Sequence, residues 1–148
     1  MTTSPTTTRT TRTDLRPAEY RALAELRYRI RRFLHFSEGA ARDAGLEPQQ
    51  HQLLLAVKGM PEHRLATIGD VAERLQLKHN STNELVRRAE QRGLVHTERG
   101  EDDRRQVIVS LTDAGEEALR ELTLAHLAEL RGEARSLVDG LEQLVARR

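Results

Sequence analysis

The sequence predicts a mainly α-helical protein with one small β-hairpin, in which helices from the two ends of the chain form a layer of their own. Apolar residues recur at three- and four-residue steps through most of the 148 residues. One short segment, Gln106 to Leu111, is instead rich in β-branched residues. Aromatic residues make up only 3% of the chain, so the core must consist of Leu, Val, Ile and Ala and would be thin in a monomer. This composition favours a helical protein that completes its core by dimerising.

The composition narrows the possible classes of function. The formal net charge is +1, so any nucleic-acid-binding surface must arise from where the charges lie. The absence of Cys excludes disulfides and Cys-based zinc sites and is compatible with the cytoplasm, the location we expect. No apolar run approaches the roughly 18 residues of a membrane span, so we expect no membrane partner. No nucleophile elbow, glycine-rich phosphate loop or spaced carboxylate pair is present, so we expect neither an enzyme nor a cofactor.

Residues 1–14 are rich in Thr and low in complexity, with Arg9 and Arg12 among them. Such a segment lacks the apolar residues that would offset the entropy of ordering it, so we expect a disordered tail. The alternative is a basic arm that reaches a DNA backbone or a minor groove.

Two helices are predicted next. From Pro17 to about Ala44 the apolar residues have helical spacing, Pro17 suits a first helical position, and Gly45 suits the stop. A second helix covers residues 47–60, where apolar side chains nearly surround the axis and indicate a central position.

Two short amphipathic helices then follow, with a tight polar turn between them. The first covers residues 67–77 and begins with Thr67 and Asp70 in the spacing of a capping box. The second covers residues 79–93. Two such helices are typical of a helix-turn-helix, although many helical hairpins share the pattern.

A β-hairpin is predicted directly after this pair. Leu94–Glu98 and Gln106–Leu111 are the two strands, and the intervening GEDDRR supplies a glycine for the turn. A helix-turn-helix followed by a hairpin is a winged helix-turn-helix, which we expect to be a DNA-binding domain over residues 47–112. The second helix of such a module enters a major groove, and the hairpin, or wing, reaches the groove beside it.

The C-terminal part is predicted as two helices. Thr112 caps the first, which runs from Asp113 to about Leu130, and Gly132 breaks it before a last helix over residues 133–146. Neither helix can bury its Leu-rich stripe on a small winged domain alone. We therefore expect residues 15–46 and 113–148 to form a dimerisation layer.

This order of elements resembles the MarR family of bacterial transcription regulators over about residues 18–146. The most specific part is the wing, where Asp103, Arg105, Leu111 and Thr112 match the family's spacing. The segment LVRRAEQRGLV, residues 85–95, also matches the end of the family's recognition helix. The resemblance implies a homodimer on a pseudo-palindromic operator of double-stranded DNA. It further implies a repressor that releases DNA when a small anionic or phenolic effector binds.

The resemblance assigns Arg105 to the wing tip, where a guanidinium suits the negative potential of a narrow minor groove. Arg104 beside it is a candidate for a phosphate contact; a solvated turn is the alternative for both. Asp103 is expected to steady the hairpin or to pair with a nearby arginine so that Arg105 points outward.

On the second helix of the pair, Asn83 is the best candidate for reading a base edge, and Arg87 for reaching a phosphate. Asn80 and Ser81 are candidates for DNA contact, or only for capping the helix. Glu84 departs from the family pattern, and we expect it to serve a capping box with Ser81.

Lys78 is a second departure. Many family members have an acid at this position that pairs with an arginine matching Arg88. We expect Arg88 to pair with Asp103 instead, or to be free for phosphate.

An effector site is predicted from Arg31, His35 and His51. Arg31 and His35 lie four residues apart on the first helix, and His51 lies in the second. In the family these two helices border the effector cavity, so the set is suited to an anionic ligand. The alternative is a structural hydrogen-bond network.

Two further functions stay open. One is a helical protein-interaction dimer that has lost DNA binding, which Glu84, Lys78 and the acidic wing favour. The other is a metal sensor built from the six histidines, although no HExxH or similarly spaced pair is present.

Overall fold

The computed structural model describes residues 15–146, and the predicted N-terminal tail, residues 1–14, lies outside them. Within residues 15–146 the chain forms five helices and three short strands. The helices are α1 (Pro17–Asp43), α2 (Pro48–Lys58), α3 (Ile68–Leu75), α4 (His79–Gln91) and α5 (Asp113–Val145). The strands are β1 (Ala66–Thr67), β2 (Val95–Arg99) and β3 (Val107–Leu111). The mainly α-helical class with one wing is therefore confirmed.

The wing is part of a three-stranded antiparallel sheet in the order β1-β3-β2. The predicted hairpin is β2 and β3, with Val95 opposite Leu111 and Arg99 opposite Val107. The third strand, β1, was not predicted. It has only two residues, too few for an alternating pattern, and it joins the sheet because Ala66 pairs with Val109 just before α3 begins.

Two predicted helix caps are present in the structure. The Thr67 hydroxyl oxygen accepts a hydrogen bond from the Asp70 amide, and the Asp70 carboxylate accepts one from the Thr67 amide, which completes the capping box. At the start of α5, the Thr112 hydroxyl oxygen accepts from the Gly115 amide at 3.1 Å. Both caps hold a helix start beside the sheet, so the positions of α3 and α5 relative to the wing are fixed locally.

The predicted break at Gly132 is wrong. α5 runs for 33 residues through both Gly132 and Gly140. A single glycine weakens a helix by roughly 1 kcal/mol relative to alanine, which does not end it when the helical pattern of apolar residues continues on both sides. Here Leu130 and Leu137 continue that pattern as half-buried residues.

The core lies where α2, α3 and α4 meet the sheet and the first half of α5. Its fully buried large apolar side chains are Leu53, Leu54, Val71 and Leu85. Gly115 at the start of α5 permits the closest approach, because a Cβ there would lie 2.0 Å from the Leu94 carbonyl oxygen. The backbone of the first turn of α5 is thus in direct contact with the backbone at Leu94, just before β2.

α1 packs along α5, which brings the two ends of the chain together. Arg29 Nη1 lies 3.2 Å from Glu133 Oε2, and Arg32 Nη1 lies 3.7 Å from Glu133 Oε1. Many large apolar side chains of these two helices nevertheless stay exposed. They include Tyr20, Leu23, Tyr28, Ile30 and Leu34 on α1, and Leu124, Leu127, Val138, Leu141 and Val145 on α5.

Candidate nucleic-acid interface

α4 is amphipathic, and its two faces have different roles. Thr82, Leu85, Val86 and Ala89 are buried against the core. Asn80, Ser81 and Asn83, predicted from the sequence as DNA-contact candidates, lie exposed in the first turns of the same helix. The burial of one face therefore leaves a polar face with short hydrogen-bonding side chains open to solvent.

The expected cap of α4 is wrong. The helix begins at His79, its N-cap is Lys78, and that residue makes no side-chain cap hydrogen bond. Asn80 and Ser81 consequently lie inside the first turn rather than at its cap. The helix start at His79 is as predicted, and Thr82 in its first turn is fully buried, with its hydroxyl donating to the Lys78 carbonyl oxygen at 3.0 Å.

Glu84 does not serve a capping box but binds Arg87. Arg87 Nε donates to Glu84 Oε2 at 3.1 Å, and its Nη2 contacts Glu84 Oε1. The hydrogen bond from Arg87 lowers the pKa of Glu84 below its ordinary value, so the carboxylate stays charged. Arg87 is exposed, as a phosphate contact requires, but a carboxylate shares its guanidinium.

Arg88 pairs with two carboxylates, and neither of them is Asp103. Its Nη2 lies 3.4 Å from Glu47 Oε2, and its Nη1 lies 3.9 Å from Glu84 Oε1. Both expectations for Arg88 were therefore wrong. Glu47, just before α2, supplies the acid that the sequence lacks at Lys78.

The tip of the wing is organised by Asp103. Asp103 Oδ1 accepts from the Arg105 amide at 3.0 Å and from Arg105 Nε at 3.2 Å. These hydrogen bonds from Arg105 lower the pKa of Asp103. Asp103 thus steadies the hairpin as expected, but the arginine that it binds is Arg105 itself. The Arg105 side chain remains 92% exposed.

Gly100 closes the tip from the other side. Its amide donates to the Gln106 carbonyl oxygen, and a Cβ at this position would lie 2.6 Å from the Asp103 carbonyl oxygen. The neighbouring Arg104 is exposed, and its carbonyl oxygen accepts from Arg99 Nη1 at 3.3 Å. The backbone of the tip is therefore held while the side chains of Arg104 and Arg105 project from it.

The three predicted effector residues do not form one cluster. Arg31 and His35 are exposed on α1, whereas His51 is only 3% exposed within α2. Within residues 15–146, neither Arg31 nor His35 shares a hydrogen bond or ion pair with His51. The ring of His51 instead lies 4.7 Å from the ring of His126 on α5.

His126 was missed in the sequence analysis. It is 8% exposed, its Nε2 lies 2.7 Å from Ser37 Oγ, and the rings of Phe33 and Phe36 meet it edge-on. The signal for its burial was its place on the apolar stripe of α5, seven residues after Leu119 and four after Leu122.

No helix of residues 15–146 is long and apolar enough to span a membrane. In the same range, no group of three or more His, Cys, Asp or Glu side chains is arranged to hold a metal ion.

Comparison with known proteins relates this geometry to one family. Residues 44–106 match a sequence model of the MarR family. An organic hydroperoxide resistance transcriptional regulator of Bacillus subtilis strain 168 is 37% identical over 68 residues, which are 46% of this chain. That match spans 44% of the relative's own length.

Solved structures match over most of the chain. AbsC, a MarR family transcriptional regulator from Streptomyces coelicolor, is 23% identical with a TM-score of 0.72, over 88% of this chain and 90% of its own. Overoxidized AbfR, solved bound to DNA, is 28% identical with a TM-score of 0.58, over 86% of this chain and 92% of its own. The element order, including the wing and both long terminal helices, is therefore shared with proteins of known structure.

Proposed function

The chain belongs to the MarR family through its winged helix-turn-helix, and on that premise we propose that it is a homodimeric, sequence-specific DNA-binding transcription regulator. Its partner is double-stranded DNA carrying a pseudo-palindromic operator. A small anionic or phenolic effector lowers its affinity for DNA, which makes it a ligand-responsive repressor.

One observation carries the proposal: the exposed polar face of α4 and the exposed arginines of the wing belong to one packed lobe, in which α4 contacts β2. In the proposed complex Asn83 reads a base edge in the major groove, with Asn80 and Ser81 contacting bases or phosphate. Arg105 enters the minor groove and Arg104 contacts phosphate. Arg87 reaches phosphate when Glu84 releases it.

The exposed apolar side chains of α1 and α5 support the homodimer. Residues such as Leu23 on α1 and Leu141 on α5 are 52% and 47% exposed. Large apolar surfaces of this kind mark association sites in soluble proteins. The proposed dimer requires a two-fold axis that sets the two copies of α4 about 34 Å apart, one helical turn, on one face of the DNA.

The effector acts in this proposal by population shift. DNA fits one separation of the two α4 helices, and a ligand that prefers another separation weakens DNA binding by its differential affinity for the two states. Arg31 and His35 are accessible for an anionic group. His51 is reached only by a ligand that enters the core beside His126.

Fluorescence anisotropy with labelled duplex DNA from the region upstream of the protein's own gene tests DNA binding, and sedimentation of the protein tests its oligomeric state. We expect two protomers per site and an affinity at least 10³-fold, on the order typical of such regulators, above that for unrelated duplex at equal salt. Equal affinity for both duplexes would contradict sequence-specific binding. Sedimentation as a monomer would contradict the homodimer.

A second function is favoured by a specific observation. Two of the arginines predicted to contact DNA, Arg87 and Arg105, already have carboxylate partners within the chain, Glu84 and Asp103. This arrangement suits a helical protein-interaction dimer that has lost DNA binding. A stable dimer in sedimentation, combined with DNA binding no stronger than that of an unrelated acidic protein, would identify it.

A further inference from the structure

The second half of α4 is tied to the start of α2 by two arginines, Arg88 and Arg92. Arg92, at the C-cap of α4, donates from Nη1 to Gln50 Oε1 at 2.8 Å and from Nη2 to the Gly45 carbonyl oxygen at 2.6 Å. One turn earlier, Arg88 Nη2 lies 3.4 Å from Glu47 Oε2. Two successive turns of α4 are therefore clamped to residues 45–50.

Gln50 is an unusual side chain for a core. It is fully buried, and its Oε1 accepts from both Arg92 and the Glu47 amide. Its Nε2 has no hydrogen-bond partner among the described residues. An unpartnered buried amide group opposes folding, so the position carries an amide at a cost in stability. Within the described residues, only the Oε1 atom of this side chain has hydrogen-bond partners, and one of them is Arg92.

The same turn of α2 also contacts the long terminal helix. His51, the residue after Gln50, has its ring 4.7 Å from that of His126 on α5. α2 thus binds the recognition helix through Gln50 and the dimerisation layer through His51.

Arg92 is poorly suited to contact DNA itself. It lies 13 residues after His79, so it is about 20 Å along the helix from the first turn, which presents Asn80 and Ser81. Both of its terminal nitrogens are also bound within the chain.

We propose that Arg92 is a positioning residue for DNA binding, which holds α4 at its working angle through Gln50 and the Gly45 carbonyl. The proposal rests on the DNA-binding function proposed above. A variant that lacks this hold must recover the working angle of α4 in order to bind DNA, so its affinity falls although every phosphate contact of the complex is kept.

The test measures the affinity of full-length variants for operator DNA at several salt concentrations, together with thermal unfolding. For Arg92→Gln and Gln50→Met we expect a loss of affinity of about tenfold or more at temperatures where both variants are folded. The slope of log affinity against log salt should stay unchanged. Gln50→Glu keeps the acceptor oxygen for Arg92 and should bind close to the wild-type level.

Arg120→Gln is the matched control, because it removes the same charge from an exposed arginine of α5 whose partner is Glu117. It should leave the affinity nearly unchanged. Arg92→Lys is a milder variant for use if Arg92→Gln does not fold. A lysine reaches only one of the two acceptors, so we expect an intermediate affinity.

Three results would overturn the proposal. A salt slope that is shallower by about 0.9 per protomer in Arg92→Gln would make Arg92 a phosphate contact. Wild-type affinity in folded Arg92→Gln or Arg92→Lys, with or without a lower unfolding temperature, would make its role purely structural. If the wild-type protein itself binds no operator, the DNA-binding function fails, and this inference fails with it.

Discussion

The ring of His51 lies 4.7 Å from the ring of His126, with an angle of 40° between the two planes. His126 Nδ1 is 2.6 Å from the Leu122 carbonyl oxygen, which can only accept, so Nδ1 carries a proton and donates to it. Burial lowers the pKa of His51, and the charge of the neighbouring His126 lowers it further. The contact between these two rings joins α2 to α5, and it favours the neutral form of His51.

This relationship predicts a pH-dependent stability. The pKa of His51 is lower in the folded chain than its ordinary value of 6.5, so its contribution is complete above about pH 6.5 and is lost as the pH falls toward the folded pKa. One histidine gives a slope no steeper than about 1.4 kcal/mol per pH unit. Urea unfolding between pH 5 and 8 measures it, and His51→Gln should have the flatter profile. Parallel profiles for the two proteins would exclude His51 as the titrating group.

For Arg105→Ala we expect weaker binding to all duplexes, because Arg105 is 92% exposed at the wing tip and its proposed contact with the minor groove is electrostatic. The slope of log affinity against log salt should become shallower by about 0.9 per protomer. Arg131→Ala, which removes the same charge from an exposed position on α5, is the control. An unchanged slope would argue against a charge contact by Arg105.

For Asn83→Ala we expect relaxed specificity at one position in each half-site. A well-placed amide contributes about 1–3 kcal/mol of discrimination against the wrong base, and Asn83 is exposed on the polar face of α4. Affinities for a set of single-base operator variants measure this directly. Retention of the wild-type preference at every position would mean that Asn83 reads no base.

For Glu84→Gln we expect tighter DNA binding, by several-fold at low salt. The change removes a negative charge from the DNA-binding helix and frees Arg87, whose Nε now donates to Glu84 Oε2 at 3.1 Å. The salt dependence should become steeper as Arg87 gains a phosphate. Weaker binding by this variant would show that the Glu84–Arg87 pair is required for the complex.

Two glycines of α5 should respond to alanine in opposite directions. A Cβ at Gly115 would lie 2.0 Å from the Leu94 carbonyl oxygen, so Gly115→Ala should lower the free energy of unfolding by more than about 2 kcal/mol. Gly132 has no atom within 4 Å of such a Cβ, so Gly132→Ala should raise it by roughly 0.5–1 kcal/mol. Chemical denaturation measures the free energy of unfolding of both variants. An undiminished value for Gly115→Ala would mean that the backbone at Leu94 moves away from the added Cβ at little cost.

The sequence predicts best where a local rule determines the structure. Each of the caps at Thr67 and Thr112 depends on a hydroxyl and the backbone amide three residues further on, and both are present. The start of α4 at His79 was predicted correctly, but its cap was not, because the N-cap is Lys78, which makes no side-chain cap hydrogen bond. The break at Gly132 failed because the neighbouring turns outweigh one weak residue.

The contacts of the candidate site depend on pairs that are distant in the chain. Arg88 meets Glu47 across 41 residues, and His126 meets Ser37 across 89. Nothing in local spacing distinguishes these partners from other acids and hydroxyls of a chain that is 32% charged. Exposure of Asn83 and Arg105, in contrast, followed from the amphipathic pattern and from the hairpin.

The unbroken course of α5 has a mechanical consequence. At about 1.5 Å per residue its 33 residues form a rod of about 50 Å, so a rotation of about 5° at one end displaces the other by about 4 Å. Its first turn is joined to the wing where Gly115 meets Leu94. A flexible joint at Gly132 would absorb such a rotation. The continuous helix instead acts as a lever arm. It transmits a small rotation of its far end to the wing as a displacement of about 4 Å.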